Sequence, residues 1–280
     1  MPTPTLTYLS VKKIERDTFT IHCVQAPEDG ELVNAQLIET PNKLLLIDTL
    51  QLKPHADELR TYIDSIGKPL DRVIVSHYHP DHWFGAATFR DYPIYALPEV
   101  IDRINQMADF VLDYHRNIHG EKAALLIPSE KVIPTESLEP GSMTFDGLSL
   151  NLIKITDTEA PTNLVVELPE HSILLPQDLV YHDAYAYFGE KSAEGEYCFD
   201  KWIGVLHDFQ TKNYTLVVPG HGDPTDASIF ETMITYLEFA KEQVLSGLKG
   251  EEMISRIKEK YPDYRLPLTL VMSDVMLFQM

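Results

Sequence analysis

Apolar residues along this chain follow two spacings that alternate in batches. In the N-terminal third, residues 18–24, 32–39 and 43–48 are apolar and β-branched, which predicts strands. The last of them is entered through the turn pair Pro41-Asn42. Leu59, Tyr62, Ile63 and Ile66 then recur at the spacing of one helical face and predict a helix over residues 54–66. Residues 72–76 (RVIVS) read as a short buried strand, 93–96 as another, and 98–119 as a long helix. Residues 120–145 keep no steady period and read as mixed loop and short helix. Three strands follow, over 148–156, 163–168 and 172–176. A helix over 197–210, a strand over 215–218 and helices over 227–246 and 251–260 precede an apolar tail. Two batches of strands, each followed by helices, predict two packed sheets covered by helices on both outer faces. No repeat, low-complexity tract or linker divides the sequence, so residues 1–280 read as a single domain.

Composition sharpens this picture. Hydrophobic residues make up 44% and charged residues 24%, the balance of a globular chain with a full core rather than a disordered one. Set against 43 Asp and Glu, 23 Lys and Arg leave a formal charge of −20. Such a field repels phosphate backbones and anionic membrane surfaces, and no basic footprint for nucleic acid is present. The expected partner is a small-molecule substrate, with no nucleic acid and no membrane. Cys23 and Cys198 stand far apart and outside any CxxC spacing, which excludes a disulfide framework. Residues 1–17 lack a basic segment followed by an apolar one, and no apolar run approaches the ~20 residues of a membrane span, so a cytoplasmic location is expected.

The chemistry concentrates in His77-Tyr78-His79-Pro80-Asp81-His82, at the C-terminal end of the strand over 72–76. On an extended segment His77 and His79 point to one side and can grip one ion. The chain turns at Pro80, so Asp81 and His82 can face a second position. Gly85, three residues on, would let a helix pack closely against the site.

An HxHxDH run at the end of an apolar strand, followed by Gly85-Ala86, resembles the signature of the metallo-β-lactamase superfamily. Residues 34–49 resemble that family's opening hairpin, ending in its buried aspartate, here Asp48. Residues 141–156 resemble the family's later strand with its Gly and Asp-Gly-Leu-Ser-Leu pattern, and 217–222 (VVPGHG) its last ligand loop. The resemblance implies a four-layer αββα sandwich, two mixed β-sheets with helices on both outer faces. It also implies two divalent metal ions, zinc first, with manganese or iron admissible. His77 and His79 match the first-site pair, and Asp81 and His82 match second-site positions. Asp178 matches the bridging carboxylate and His221 the last second-site histidine. Residues 98–141 form an insertion between motifs, at a place where the family builds a lid or a dimer contact, so a homodimer is compatible with this reading.

One position departs from the pattern. Where the family carries a third first-site histidine, alignment on Pro161 and Asn163 places Glu159. Either Glu159 replaces the imidazole as an oxygen ligand, or it points away and leaves a mononuclear second site. The first reading is preferred because a carboxylate is a competent ligand. Its oxygen also keeps manganese and iron in view beside zinc.

The implied activity is hydrolysis of a small ester, lactone, thioester or amide by a metal-bound hydroxide. Asp81 would orient the water and carry its proton. Tyr181 occupies a position similar to one from which lactone-cleaving members donate to the substrate's carbonyl; the alternative is a packing tyrosine. The aromatics Tyr181, Tyr185, Tyr187 and Phe188 read either as a pocket wall or as core. An iron-dependent redox enzyme is the alternative function, and a degenerate metal-binding protein the third. His115 and His119 share a helical face but no third ligand, and read as solvated. His182 reads as a candidate pocket residue, and His22, His55, His171 and His207 as structural.

Overall fold

The computed structural model describes residues 5–279; residues 1–4, within the stretch read as lacking a leader, and residue 280 lie outside the described residues. Two compact units divide at Ile153 and Lys154.

The first unit is organised by a seven-stranded sheet in sequence order. Its strands are β1 (Ser10–Glu15), β2 (Thr20–Gln25), β3 (Asn34–Glu39), β4 (Leu44–Ile47), β5 (Leu70–Ile74), β6 (Ile94–Ala96) and β7 (Glu136–Ser137). β1 to β4 run antiparallel, and β4 to β7 run parallel. Every residue of β4 is buried, which is why LLLI shows no alternation. β1, at the sheet edge, buries none of its six residues, and its charged sequence gave no strand signal.

Parallel neighbours need long crossovers. α1 (Lys53–Ile66) supplies the one from β4 to β5, burying Leu59, Tyr62 and Ile63 as the spacing predicts. α2 (Pro80–Trp83) is a single turn between β5 and β6. α3 (Pro98–His119), followed by the short α4 (Ala123–Leu126), leads from β6 to β7. Residues 120–145, read as loop and short helix, also contain β8 (Gly141–Phe145). β8 pairs antiparallel with β9 (Leu148–Thr156) through Asp146 and Gly147, at φ 47° and 84°. Two consecutive positive φ values make the tight turn whose twist matches a hairpin.

The second unit carries β10 (Thr162–Leu168), β11 (Ile173–Tyr181) and β12 (Leu216–His221). The five-stranded sheet has the order β12-β11-β10-β9-β8, with β10 antiparallel and β12 parallel to β11. β11 runs five residues past the predicted end, because Pro176 sits at an irregularity in the pairing and does not stop the strand. α5 (Phe199–Gln210) makes the crossover to β12, and α6 (Ile229–Leu245) and α7 (Gly250–Lys260) follow. The apolar tail is a helix, α8 (Pro267–Phe278), too uniformly apolar to display a period. Its Thr269 hydroxyl donates to the Tyr185 carbonyl at 2.7 Å.

Cys23 and Cys198 are buried free thiols. No helix among the described residues is long and apolar enough to cross a membrane. His115 is not solvated as expected: it is 6% exposed and packs edge-on against Phe84 with ring centroids 5.2 Å apart. Burial first, and His119 with it, against the opposing pull of Asp81, hold its imidazole down at about 4. His22 is structural, its ring nitrogens bonded to the Tyr62 hydroxyl (2.7 Å) and Glu39 (2.8 Å).

Candidate metal centre

The first half of the centre is assembled where β4 and β5 end side by side. Asp48 follows β4, fully buried, with φ 63°. Its carboxylate accepts from the Ser76 backbone N–H (2.8 Å), the Ser76 hydroxyl (2.7 Å) and His82 Nδ1 (2.8 Å). Burial pushes this carboxyl up, and His82 and Ser76 pull it back down. A carboxylate on Nδ1 fixes the proton there and turns Nε2 into the lone-pair donor, as histidine ligands require.

Ser76 has a second task, with its Oγ 2.9 Å from His77 Nδ1. His77 Nε2 in turn lies 3.1 Å from His79 Nδ1. His82 is anchored through its backbone, its carbonyl accepting from the Thr49 N–H and the Thr49 hydroxyl, both at 3.0 Å. Gly85 is required for this approach: a Cβ there would stand 1.9 Å from the Thr49 carbonyl oxygen. Asp81 Oδ2 is 3.2 Å from His82 Nε2.

The other half rests on β11 and β12. Gln177, at φ 51°, bends β11 immediately before Asp178. Asp178 Oδ2 lies 3.0 Å from His221 Nε2 and accepts from the Tyr181 hydroxyl at 2.8 Å. Tyr181 is 3.5 Å from Glu159 Oε1, and its ring stacks on His221 at 4.6 Å and 3°. Tyr181 therefore contacts two candidate ligands and stacks on a third. His182 is elsewhere engaged, with Nδ1 donating to the Asp223 carbonyl at 2.8 Å.

Two groups of side chains emerge, in each of which the ligand atoms lie within 4.8 Å of one another. One is His77, His79, Glu159 and Asp178; the other is Asp81, His82, Asp178 and His221. All seven candidates are thus brought together, with Asp178 common to both groups. Glu159, the departure from the expected pattern, is buried and lies within the first group.

The donor set fits divalent metal. Four imidazoles and three carboxylates converge, and buried carboxylates in such number call for a cationic partner. The backbone is shaped to the same end: a Cβ on Gly220 would meet Asp178 Oδ1 at 1.9 Å. Ser76 and Thr49 were not singled out by sequence. A short polar residue closing an otherwise apolar strand, RVIVS, was the available signal for Ser76.

The model of the metallo-beta-lactamase superfamily matches residues 29–221. The linear primary-alkylsulfatase of Pseudomonas sp. (strain ATCC 19151) is 19% identical over 264 residues, covering 79% of this chain and 49% of that protein. The chain therefore spans about half the length of the curated relative it matches. A metallo-beta-lactamase from Pontibacter korlensis superposes with a TM-score of 0.61 at 21% identity, over 82% of this chain and 99% of the other. DIM-1 metallo-beta-lactamase exposed to ceftazidime gives 0.61 at 17% identity, over 85% and 100%. TMB-1 gives 0.60 at 20% identity, over 84% and 100%. At these identities the likeness establishes the fold, two mixed sheets with helices.

Proposed function

The chain belongs to the metallo-β-lactamase superfamily, and from that premise we propose that it is a metal-dependent hydrolase of a small ester, lactone, thioester or amide. One observation carries the reading: two mixed histidine and carboxylate groups share Asp178. His77, His79, Glu159 and Asp178 would hold one ion, and Asp81, His82, Asp178 and His221 the other. This donor set suits zinc, and its three carboxylates also admit manganese or iron. Bound there, a divalent metal would lower the pKa of water towards ~7 and polarise the electrophile's oxygen.

The chain's own residues supply the rest. Asp48 and Ser76 hold His82 and His77 in fixed orientations, so the donor atoms are aimed before any ion arrives. Asp81 would accept the proton of the attacking water and keep its lone pair directed at the carbonyl carbon. Tyr181, whose O–H points at Asp178, would donate to the oxygen that gains charge as the bond breaks. A hydroxyl buried among candidate ligands is better explained by such a role than by packing.

The name of the curated relative adds sulfate monoesters to the substrates worth testing. Elemental analysis of protein expressed without added metal, followed by a panel of lactone, thioester, carboxylic ester and sulfate ester, tests the proposal. Two equivalents of zinc or manganese with turnover of one panel member is the expected result. Metal-free protein, or metal-loaded protein inert towards every member, would overturn it.

A further inference from the structure

The long helix α3 carries an arginine that pairs with no acid among the described residues. In a chain with 43 Asp and Glu, Arg60, Arg72, Arg90 and Arg116 each hold a carboxylate. Arg103 holds none, and its buried Nε has no hydrogen-bond partner among the described residues. Burying such a donor is costly unless another group receives the cation. The ring of Tyr78 does so, its centroid 5.0 Å from the guanidinium carbon. Tyr78 is itself buried, stands between the first two histidines of the run, and carries its ring 4.5 Å from that of His79. Guanidinium, phenol ring and imidazole thus follow one another towards the metal centre. Cation–π attraction is strongest where water is excluded, and a planar guanidinium is the cation best shaped for it.

The same helix meets the ligand loop a second time. Twelve residues on from Arg103, His115 packs edge-on against Phe84 with ring centroids 5.2 Å apart. At the helical rise the two contacts stand roughly 18 Å apart along the axis. Between them Ile104, Ala108 and Leu112 are buried, so α3 is seated on the core throughout this length. The loop is also tied across itself, the Tyr78 carbonyl accepting from Trp83 Nε1 at 2.8 Å. A rigid helix therefore grips a closed loop at both of its ends.

We infer that Arg103 is a positioning residue for the metal centre: it fixes the ring of Tyr78, and that ring fixes the imidazole of His79 for the ion of the first group. The inference rests on the reading above for its ion, though not for the stack itself. Charge and position make opposite demands here. A guanidinium near a dication repels it, so removing a cation that acted through charge alone would tighten metal binding. Removing one that holds His79 in place loosens it, as the loss of groups orienting a ligand generally does.

The test is chelator competition on protein stripped of metal and reloaded with zinc. Arg103→Met keeps a long apolar stem and should loosen one of the two equivalents by about three- to thirtyfold, leaving the other where it was. Arg103→Lys keeps the charge without the flat fork and should lose about two- to threefold. Tyr78→Leu should lose at least as much as Arg103→Met, and the double variant no more than Tyr78→Leu alone. A second readout needs no metal. In the stripped protein the ring-proton resonances of His79, identified by their disappearance in His79→Gln, should move in Arg103→Met. Those of His82, held by Asp48, should stay. If Arg103→Met fails to fold, Arg103→Lys carries both readouts.

Tighter zinc binding in Arg103→Met would overturn the inference, as would additive losses in the double variant. A lowered melting temperature with zinc affinity and His79 resonances intact would mark ordinary packing and overturn it too. A protein that binds no zinc, yet whose His79 resonances move in Arg103→Met, upholds the stack and removes the hydrolase reading. One that binds two equivalents and turns over a panel member, with zinc affinity and His79 resonances indifferent to Arg103→Met, does the reverse.

Discussion

Gly220→Ala should disable both metal groups while leaving the fold in place. A Cβ at this position would stand 1.9 Å from Asp178 Oδ1, 2.7 Å from the Gln177 carbonyl carbon and 2.8 Å from the Asp178 nitrogen. Ordinary contact begins at 3.4 Å, so the carboxylate must retreat by about 1.5 Å. Two of the three obstacles are backbone, and a rotamer change at Asp178 alone does not relieve them. Metal bonds tolerate displacements of only about 0.2 Å, and an error of ~1 Å at a reacting centre costs about a hundredfold in rate. Because Asp178 belongs to both groups, both equivalents should fall together. Gly204→Ala is the matched control: it lies within α5 with nothing inside 4 Å of the added Cβ, and should stabilise by about 0.5–1 kcal/mol. Elemental analysis and turnover, beside thermal melts followed by circular dichroism, separate the two variants. A Gly220→Ala protein as metal-rich and active as Gly204→Ala would refute the reasoning.

Glu159→Gln should cost about one metal equivalent and Asp178→Ala both, read by elemental analysis; equal losses in the two would remove Glu159 from the first group. Asp48→Asn should weaken metal affinity by about ten- to a hundredfold, because His82 loses the carboxylate that fixes its tautomer; chelator competition giving an unchanged constant would count against it. His115 makes acid destabilising. Its folded value of about 4 lies below the unfolded ~6.5, so the stability it confers is complete above ~6.5 and is lost as pH falls towards 4. His115→Phe should flatten the pH dependence of urea unfolding across that window; a slope identical to the parent's would show that His115 titrates alike in both states.

Much of this was legible because the informative residues are local. HxHxDH is contiguous, and α1, α3 and β9 announce themselves through spacing or β-branched apolar residues. What stayed hidden depends on the third dimension. β1 is an edge strand whose exposed, charged residues carry no alternation. β11 continues through Pro176 because the pairing is already irregular there. α8 is apolar on nearly every side and so has no period. The His115 and His119 pair looks solvated in one dimension, yet His115 turns inward to Phe84. Glu159 could be placed only by alignment on its neighbours, and its inclusion in the first group depends on where β10 and β11 bring the chain.

Asp48, just past the end of β4, and Gln177, in the middle of β11, both adopt positive φ although neither is glycine. Such backbone costs on the order of 1–3 kcal/mol per residue, and glycine would recover it only by deleting a side chain that the site or its packing uses. The centre is thus where the chain gives up conformational ease. Directed evolution for heat resistance alone would drift towards relaxing these two corners, enriching robust variants with impaired metal retention. Screening heat resistance and metal retention together would confine the gains to places such as α5, where Gly204 can change without touching the chemistry.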